Sequence, residues 1–233
     1  MLSKHVACVF GIAFFAIALA GCAVNQNVKA QGAGFDWSGT TEKRVAVIQP
    51  DIHLGELTAG GLVEPRADWT KAAQADVAKQ LEAYFAKRKT SVVLVNDLSD
   101  QREVQLAKLH GPIGRAIIRH AIMGIKLPNK TQAMDWTLGP DAALLREHYK
   151  TDYALFIYVN DTYTSAGRAF LMVSAAVLGV SVQGGQQIGF ASLVDLRTGN
   201  ITWFNVRHDG SSGLRDSNGC KHFVEGILAD LPK

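Results

Sequence analysis

Two short apolar runs bracket an amphipathic helix, and this order limits the possible folds more than any other feature of the chain. Arg44-Val45-Ala46-Val47-Ile48, closed by Pro50, and Ser91-Val92-Val93-Leu94-Val95 have the length and β-branched content of buried strands. Between them Trp69, Ala73, Val77, Leu81, Tyr84 and Phe85 recur at three-to-four spacing, with Lys71, Lys79, Glu82 and Lys87 mostly on other faces. Asp68 is placed to cap that helix, and Lys87-Arg88-Lys89 to close it where the dipole favours cations. A loop carrying Gly55, Gly60, Gly61 and Pro65 is expected between the first strand and the helix. Strand, helix, strand in this order predicts a βαβ unit with parallel pairing.

The remainder extends the α/β pattern. A helical region is expected from Asp100 to Met123, interrupted at His110-Gly111-Pro112 and renewed with Pro112 in its first turn. Residues 126–140 read as irregular. A third helix, Asp141 to Tyr149, precedes a strand from Tyr153 to Val159. Ile188 to Leu196 and Ile201 to Val206 read as a hairpin around Arg197-Thr198-Gly199-Asn200, and Asn218 to Leu231 as a closing amphipathic helix. The expected fold is a single three-layer-like α/β domain over 41–233. It has a mixed sheet, an N-terminal βαβ unit, a C-terminal antiparallel hairpin and flanking helices. With 48% hydrophobic and 19% charged residues, the chain has enough apolar material for such a core.

The first residues are expected to lie outside that domain. A short basic start with Lys4 leads into an apolar stretch from Val6 to Ala20, too short for a comfortable membrane span and suited to a signal core. It ends in Leu19-Ala20-Gly21-Cys22, which is similar to the lipobox of bacterial lipoproteins. That resemblance implies a removable leader over 1–21 and acyl chains on Cys22 that hold the chain to a membrane. Ala23, rather than aspartate, after the cysteine implies the periplasmic face of the outer membrane, with inner-membrane retention as the alternative. Residues 22–40, rich in small and polar side chains, read as a lipidated N-terminus and flexible tether. Cys8 leaves with the leader and Cys22 is acylated, so Cys220 alone remains as a thiol; burial is the favoured reading for it.

Leu193-Val194-Asp195-Leu196-Arg197-Thr198-Gly199-Asn200-Ile201-Thr202-Trp203, after the strand at Tyr153 to Val159, resembles the late hairpin of the curli-secretion-type lipoproteins and of the TolB N-terminal domain group. Arg44 to Lys89 fits the opening strand and helix of the same layout. Leu57-Thr58-Ala59-Gly60-Gly61-Leu62 and Gly184-Gly185-Gln186-Gln187 are similar to a narrower set of uncharacterised proteobacterial lipoproteins. The resemblance implies a fold and an envelope compartment, and no reaction. Curli-type members form secretion rings through membrane-inserting hairpins; this chain departs from them in lacking two clear alternating transmembrane strands.

Chemistry is sparse. Asp51, His53 and Glu56 follow the first strand, where parallel sheets often hold ligands, and with His110 or His120 they offer a carboxylate and imidazole set. Their spacing matches no recognised metal motif, and a polar loop is the plainer reading. Gly210-Ser211-Ser212-Gly213 lacks the setting of a nucleophile elbow, and Gly184-Gly185-Gln186-Gln187-Ile188-Gly189 lacks the lysine of a phosphate loop. The net charge of +3, less Lys4, leaves about +2 with scattered cations, which speaks against a nucleic-acid partner. No catalytic residue, metal or cofactor is assigned.

The apolar segment Ala169 to Val182 has almost no polar face. Two readings stay open: a buried core element, or an interaction surface built on Phe170, Leu171, Met172, Val177 and Leu178 that docks on another copy, an envelope protein or the membrane interface. The sequence thus points to a lipid-anchored, non-catalytic assembly or interaction module. The alternatives are an envelope hydrolase using the Asp51/His53/Glu56 region and a carrier of a small apolar ligand lined by 169–182.

Overall fold

The computed structural model of the chain describes residues 28–31, 44–88, 91–130, 134–209 and 213–231. The leader, Cys22, most of the expected tether and Gly210 to Ser212 lie outside the described residues. The expected βαβ unit is present. Strand β2 (Arg44–Ile48) pairs in parallel with β5 (Ser91–Val95), and helix α1 (Ala67–Ala86) connects them. The intervening stretch is more ordered than the glycines suggested. Instead of a loop, β3 (Asp51–Leu57) continues the line of β2, and β4 (Val63–Pro65) folds back on it.

The organising strand is β6 (Tyr153–Thr164), which continues five residues past the expected end. Its first half pairs in parallel with β2 and its second half in parallel with β3. On its other side β7 (Gln187–Asp195) and β8 (Ile201–Asp209) form the expected antiparallel hairpin. Within the stretch read as a tether, Val28–Gln31 is instead a strand, β1, antiparallel to β8 with Val28 opposite Val206. The main path of the mixed sheet runs β1-β8-β7-β6-β2-β5.

Helices cover both faces, which is why the strands read as continuous apolar runs. Alternate residues of β6 serve separate cores. Tyr153, Leu155, Ile157 and Val159 pack with α1 and with α5 (Ser217–Ile227), beside Val77, Leu81 and Phe223. Ala154 and Phe156 face the opposite layer with Leu106, Ile117 and Leu145. That layer holds α2 (Gln101–Ile117), a π-helical turn (Ile118–Ile122) and α3 (Ala142–Tyr149).

Two local expectations are corrected. Asp68 sits in the first turn of α1 and the uncapped N-cap is Arg66, whose guanidinium bonds Glu56 instead. Helix α2 runs unbroken through Pro112, after a start capped by the Asp100 side chain. Pro112 and Lys108 are both exposed, so the hydrogen bond that proline omits falls on the solvent-facing side of the helix.

The hairpin motif has a local explanation. The Asp195 carboxylate accepts from the Arg197 amide at 2.9 Å and pairs with its guanidinium at 2.9 Å. Gly199 takes a positive φ of 76°, and a Cβ there would lie 2.0 Å from the Gly139 carbonyl oxygen.

Candidate functional site

Strand alternation separates the polar residues that follow the first strand. Asp51 and His53 share one face of β3, 2.9 Å apart, with the His53 ring beside Tyr158. Glu56, an odd number of positions away, projects to the other face and pairs with Arg66 at 2.7 Å. His110 is buried in the α2 layer, and His120 bonds the Ile125 carbonyl at 2.6 Å and stacks on Trp136. The proposed carboxylate and imidazole set is therefore dispersed over four surroundings. Among the described residues no three His, Cys, Asp or Glu side chains converge on a metal position.

Three polar clusters, each built on a buried group, form across the fold. His110 Nε2 lies 2.8 Å from Ser192 Oγ, between the rings of Phe156 and Phe190. Burial holds its imidazole down at about 3, so it is neutral at ordinary pH. Asp161, fully buried, accepts from Tyr163 Oη and Gln187 Nε2 at 3.0 Å each and from the Leu214 amide at 3.2 Å. Burial raises its carboxyl above the usual range against the pull of those bonds. Continuing the alternation of β6 past Val159 would have put Asp161 and Tyr163 on the core face. In the third cluster, Glu103 joins α2 to α3 through His148 Nδ1 at 2.8 Å and Tyr149 Oη at 3.1 Å. Burial, then the Glu103 charge, raises Tyr149 to about 12. These groups tie elements together.

The segment after β6 lies exposed rather than in the core. Helix α4 (Ala166–Val177) has no buried residue. Phe170 is 75% exposed, Val177 83% and Leu178 80%, and Leu171 is exposed as well, while Met172 is half-buried against Gly184. Ser165 caps the helix by accepting from the Arg168 amide at 3.1 Å. The Arg168 guanidinium donates to the Gln183 carbonyl at 2.8 and 3.0 Å and to that of Ala59 at 3.4 Å. One cation thus fastens α4 to the body, and the β3–β4 turn with exposed Leu62 and Val63 lies alongside. Among the described residues no helix is long and apolar enough to cross a membrane.

An open groove of about 410 Å³ lies on the α2 face of the sheet, lined by Tyr158, Ile188, Phe190, Ile118, Arg115 and Arg119 among others. Tyr158 stacks on Phe190 with centroids 4.8 Å apart, and the Arg115 guanidinium sits 5.3 Å from the Tyr158 ring centre.

Compared with known protein families and with curated proteins, the chain matches none. Among solved structures it is similar to the PelC dodecamer from Paraburkholderia phytofirmans, at 13% identity over 87% of this chain and 96% of that one, with a TM-score of 0.38. It is also similar to lipoprotein GNA1162 from Neisseria meningitidis, at 13% identity over 82% and 99%, TM-score 0.33. A third likeness is to the LpoB C-terminal domain from Salmonella enterica, at 14% identity over 73% and 84%, TM-score 0.26. Likenesses this distant leave the site to be read from the chain's own residues.

Proposed function

We propose that this chain is a lipid-anchored, non-catalytic interaction module of the bacterial cell envelope, held at the periplasmic face of the outer membrane by acyl chains on Cys22. It works through surface contact, with copies of itself or with other envelope proteins. One observation carries this reading: a twelve-residue helix keeps no side chain in the core and turns Phe170, Leu171, Val177 and Leu178 outward. Soluble monomers rarely leave such a patch uncovered. The polar residues that suggested a hydrolase are split between faces or sealed in the core.

Crosslinking in intact cells, followed by mass spectrometry of the purified chain, tests it. Defined oligomers or a recurrent envelope partner are expected, together with a mature N-terminus at an acylated Cys22. A Cys22→Ser chain is expected to keep its leader and to lack the lipid. A strictly monomeric protein with no captured partner overturns the interaction role.

A second reading, a carrier of a small apolar ligand, is favoured by the Tyr158/Phe190 groove rather than by 169–182. Its apolar floor beside two guanidinium groups suits an amphiphile with an anionic head.

A further inference from the structure

We infer that α4 docks into the surface of the bilayer that receives the Cys22 acyl chains, giving the domain a second, protein-borne membrane contact. This inference rests on the anchor reading for the direction in which the bilayer lies.

Strand register supplies the geometry. Val28 of β1 stands opposite Val206, Val206 opposite Phe190, and Phe190 opposite Tyr158, each pair antiparallel. Followed backwards to Val28, β1 therefore points in the direction that β6 takes forwards from Tyr158. Six residues forward along β6 is Thr164, next to the cap of α4. Six residues back from Val28 is Cys22. At 3.3–3.6 Å per residue those six steps reach at most about 22 Å. The N-terminal end of β1, six residues from the lipid attachment point in sequence, and α4 thus belong to the same end of the sheet, and on the anchor reading that short reach keeps this end close to the bilayer.

Chemistry supplies the occupant. Between Asp161 and Asp195 the single charged residue is Arg168, and its guanidinium is turned to the carbonyls of Gln183 and Ala59. At 3.6 residues per turn the exposed side chains, from Ala176 through Ala169, Val173, Val177, Phe170 and Leu178 to Leu171, spread over an arc of about 220°. An ordinary surface helix turns its polar side to water and its apolar stripe inward, whereas most of the apolar side chains of α4 face outward. A folded partner seated on one side covers a narrower stripe, whereas a fluid apolar phase covers the whole arc. Twelve residues at 1.5 Å each make a helix of about 18 Å, suited to lying in an interface and too short to cross about 30 Å of hydrocarbon. Leu62 on the adjoining turn and Val180 after the helix widen the same apolar end.

Nitroxide labels placed by Phe170→Cys, Val177→Cys and Leu178→Cys in the full mature chain test this, in vesicles of phosphatidylethanolamine and phosphatidylglycerol. Lys79→Cys, at an exposed position of α1, is the aqueous reference, and the parent chain, whose Cys220 is buried, sets the background. Oxygen accessibility is expected to exceed that of a water-soluble nickel complex at the three α4 sites, with the order reversed at position 79. All four residues are exposed, so the variants should fold as the parent does. An acylated chain whose α4 labels face water overturns the docking and leaves the anchor standing. An unacylated chain whose α4 labels still sit in lipid upholds the docking and removes the anchor. Dipolar broadening between α4 labels that disappears on dilution with unlabelled protein assigns the helix to a second copy and overturns the inference.

Discussion

His110 Nε2 stands 2.8 Å from Ser192 Oγ, and both side chains are sealed between α2 and the sheet, at 1% and 0% exposure. A histidine–serine pair in an open cleft would suggest nucleophilic chemistry; here no substrate can reach it. The pair joins helix to strand and leaves a neutral imidazole in the core.

That neutrality makes stability pH-dependent. In the unfolded chain the ring protonates near 6.5, whereas in the folded protein it resists protonation down to about 3. Between those values the unfolded state binds more protons, so stability falls as pH falls through this window, by up to about 1.4 kcal/mol per unit. His110→Gln keeps a hydrogen-bonding side chain and removes the titration. Urea denaturation at pH 7 and pH 5 should show the parent losing about 2 kcal/mol more than the variant. Equal losses would show that His110 is not held neutral.

Asp161 fastens the chain before α5 to the sheet. Its Oδ2 takes the Leu214 amide, the Gln187 amide group and the Tyr163 hydroxyl. Asp161→Ala strands those buried donors and should cost about 2–4 kcal/mol. Asp161→Asn keeps one acceptor oxygen without a buried charge and should stay within about 1 kcal/mol of the parent. Chemical denaturation of both variants separates the role of the hydrogen bonds from that of the charge.

Gly114 allows α2 to lie flush on β7. A Cβ there would come within 1.9 Å of the Phe190 ring, which is itself completely buried. Alanine is ordinarily the better helix former by about 1 kcal/mol. The clash reverses that sign, and Gly114→Ala should destabilise by about 1–3 kcal/mol. Gly60→Ala, whose nearest neighbour would be the Thr58 hydroxyl at 3.9 Å, should stay within about 0.5 kcal/mol of the parent. Thermal melts of the two variants are the check.

Cys220 is buried and its thiol is pushed up to about 12, first by desolvation and then by Asp76, Asp216 and Asp161. In the native protein it should not react with an aromatic disulfide reagent at pH 8, and the Cys220 thiol should become reactive on unfolding. Rapid reaction in the native state would place the sulfur at the surface.

The sequence by itself determined the elements whose signal is local. The apolar runs at 44–48 and 91–95 around a helix of matching period could hardly form anything but a parallel βαβ unit. The Asp195 to Gly199 turn carries its own hydrogen bonds and its own glycine requirement. What depends on neighbours was not legible. An apolar stretch such as 169–182 looks the same whether another element covers it or nothing does, because hydrophobic periodicity records composition and not surroundings. Asp51, His53 and Glu56 are close in the chain, yet strand alternation sends Glu56 to the other face. The partners of Asp161 come from β7 and from the segment before α5, distances no local pattern spans. Tertiary structure decided these points because burial and pairing belong to the whole sheet, whereas helix and turn propensities act within a few residues.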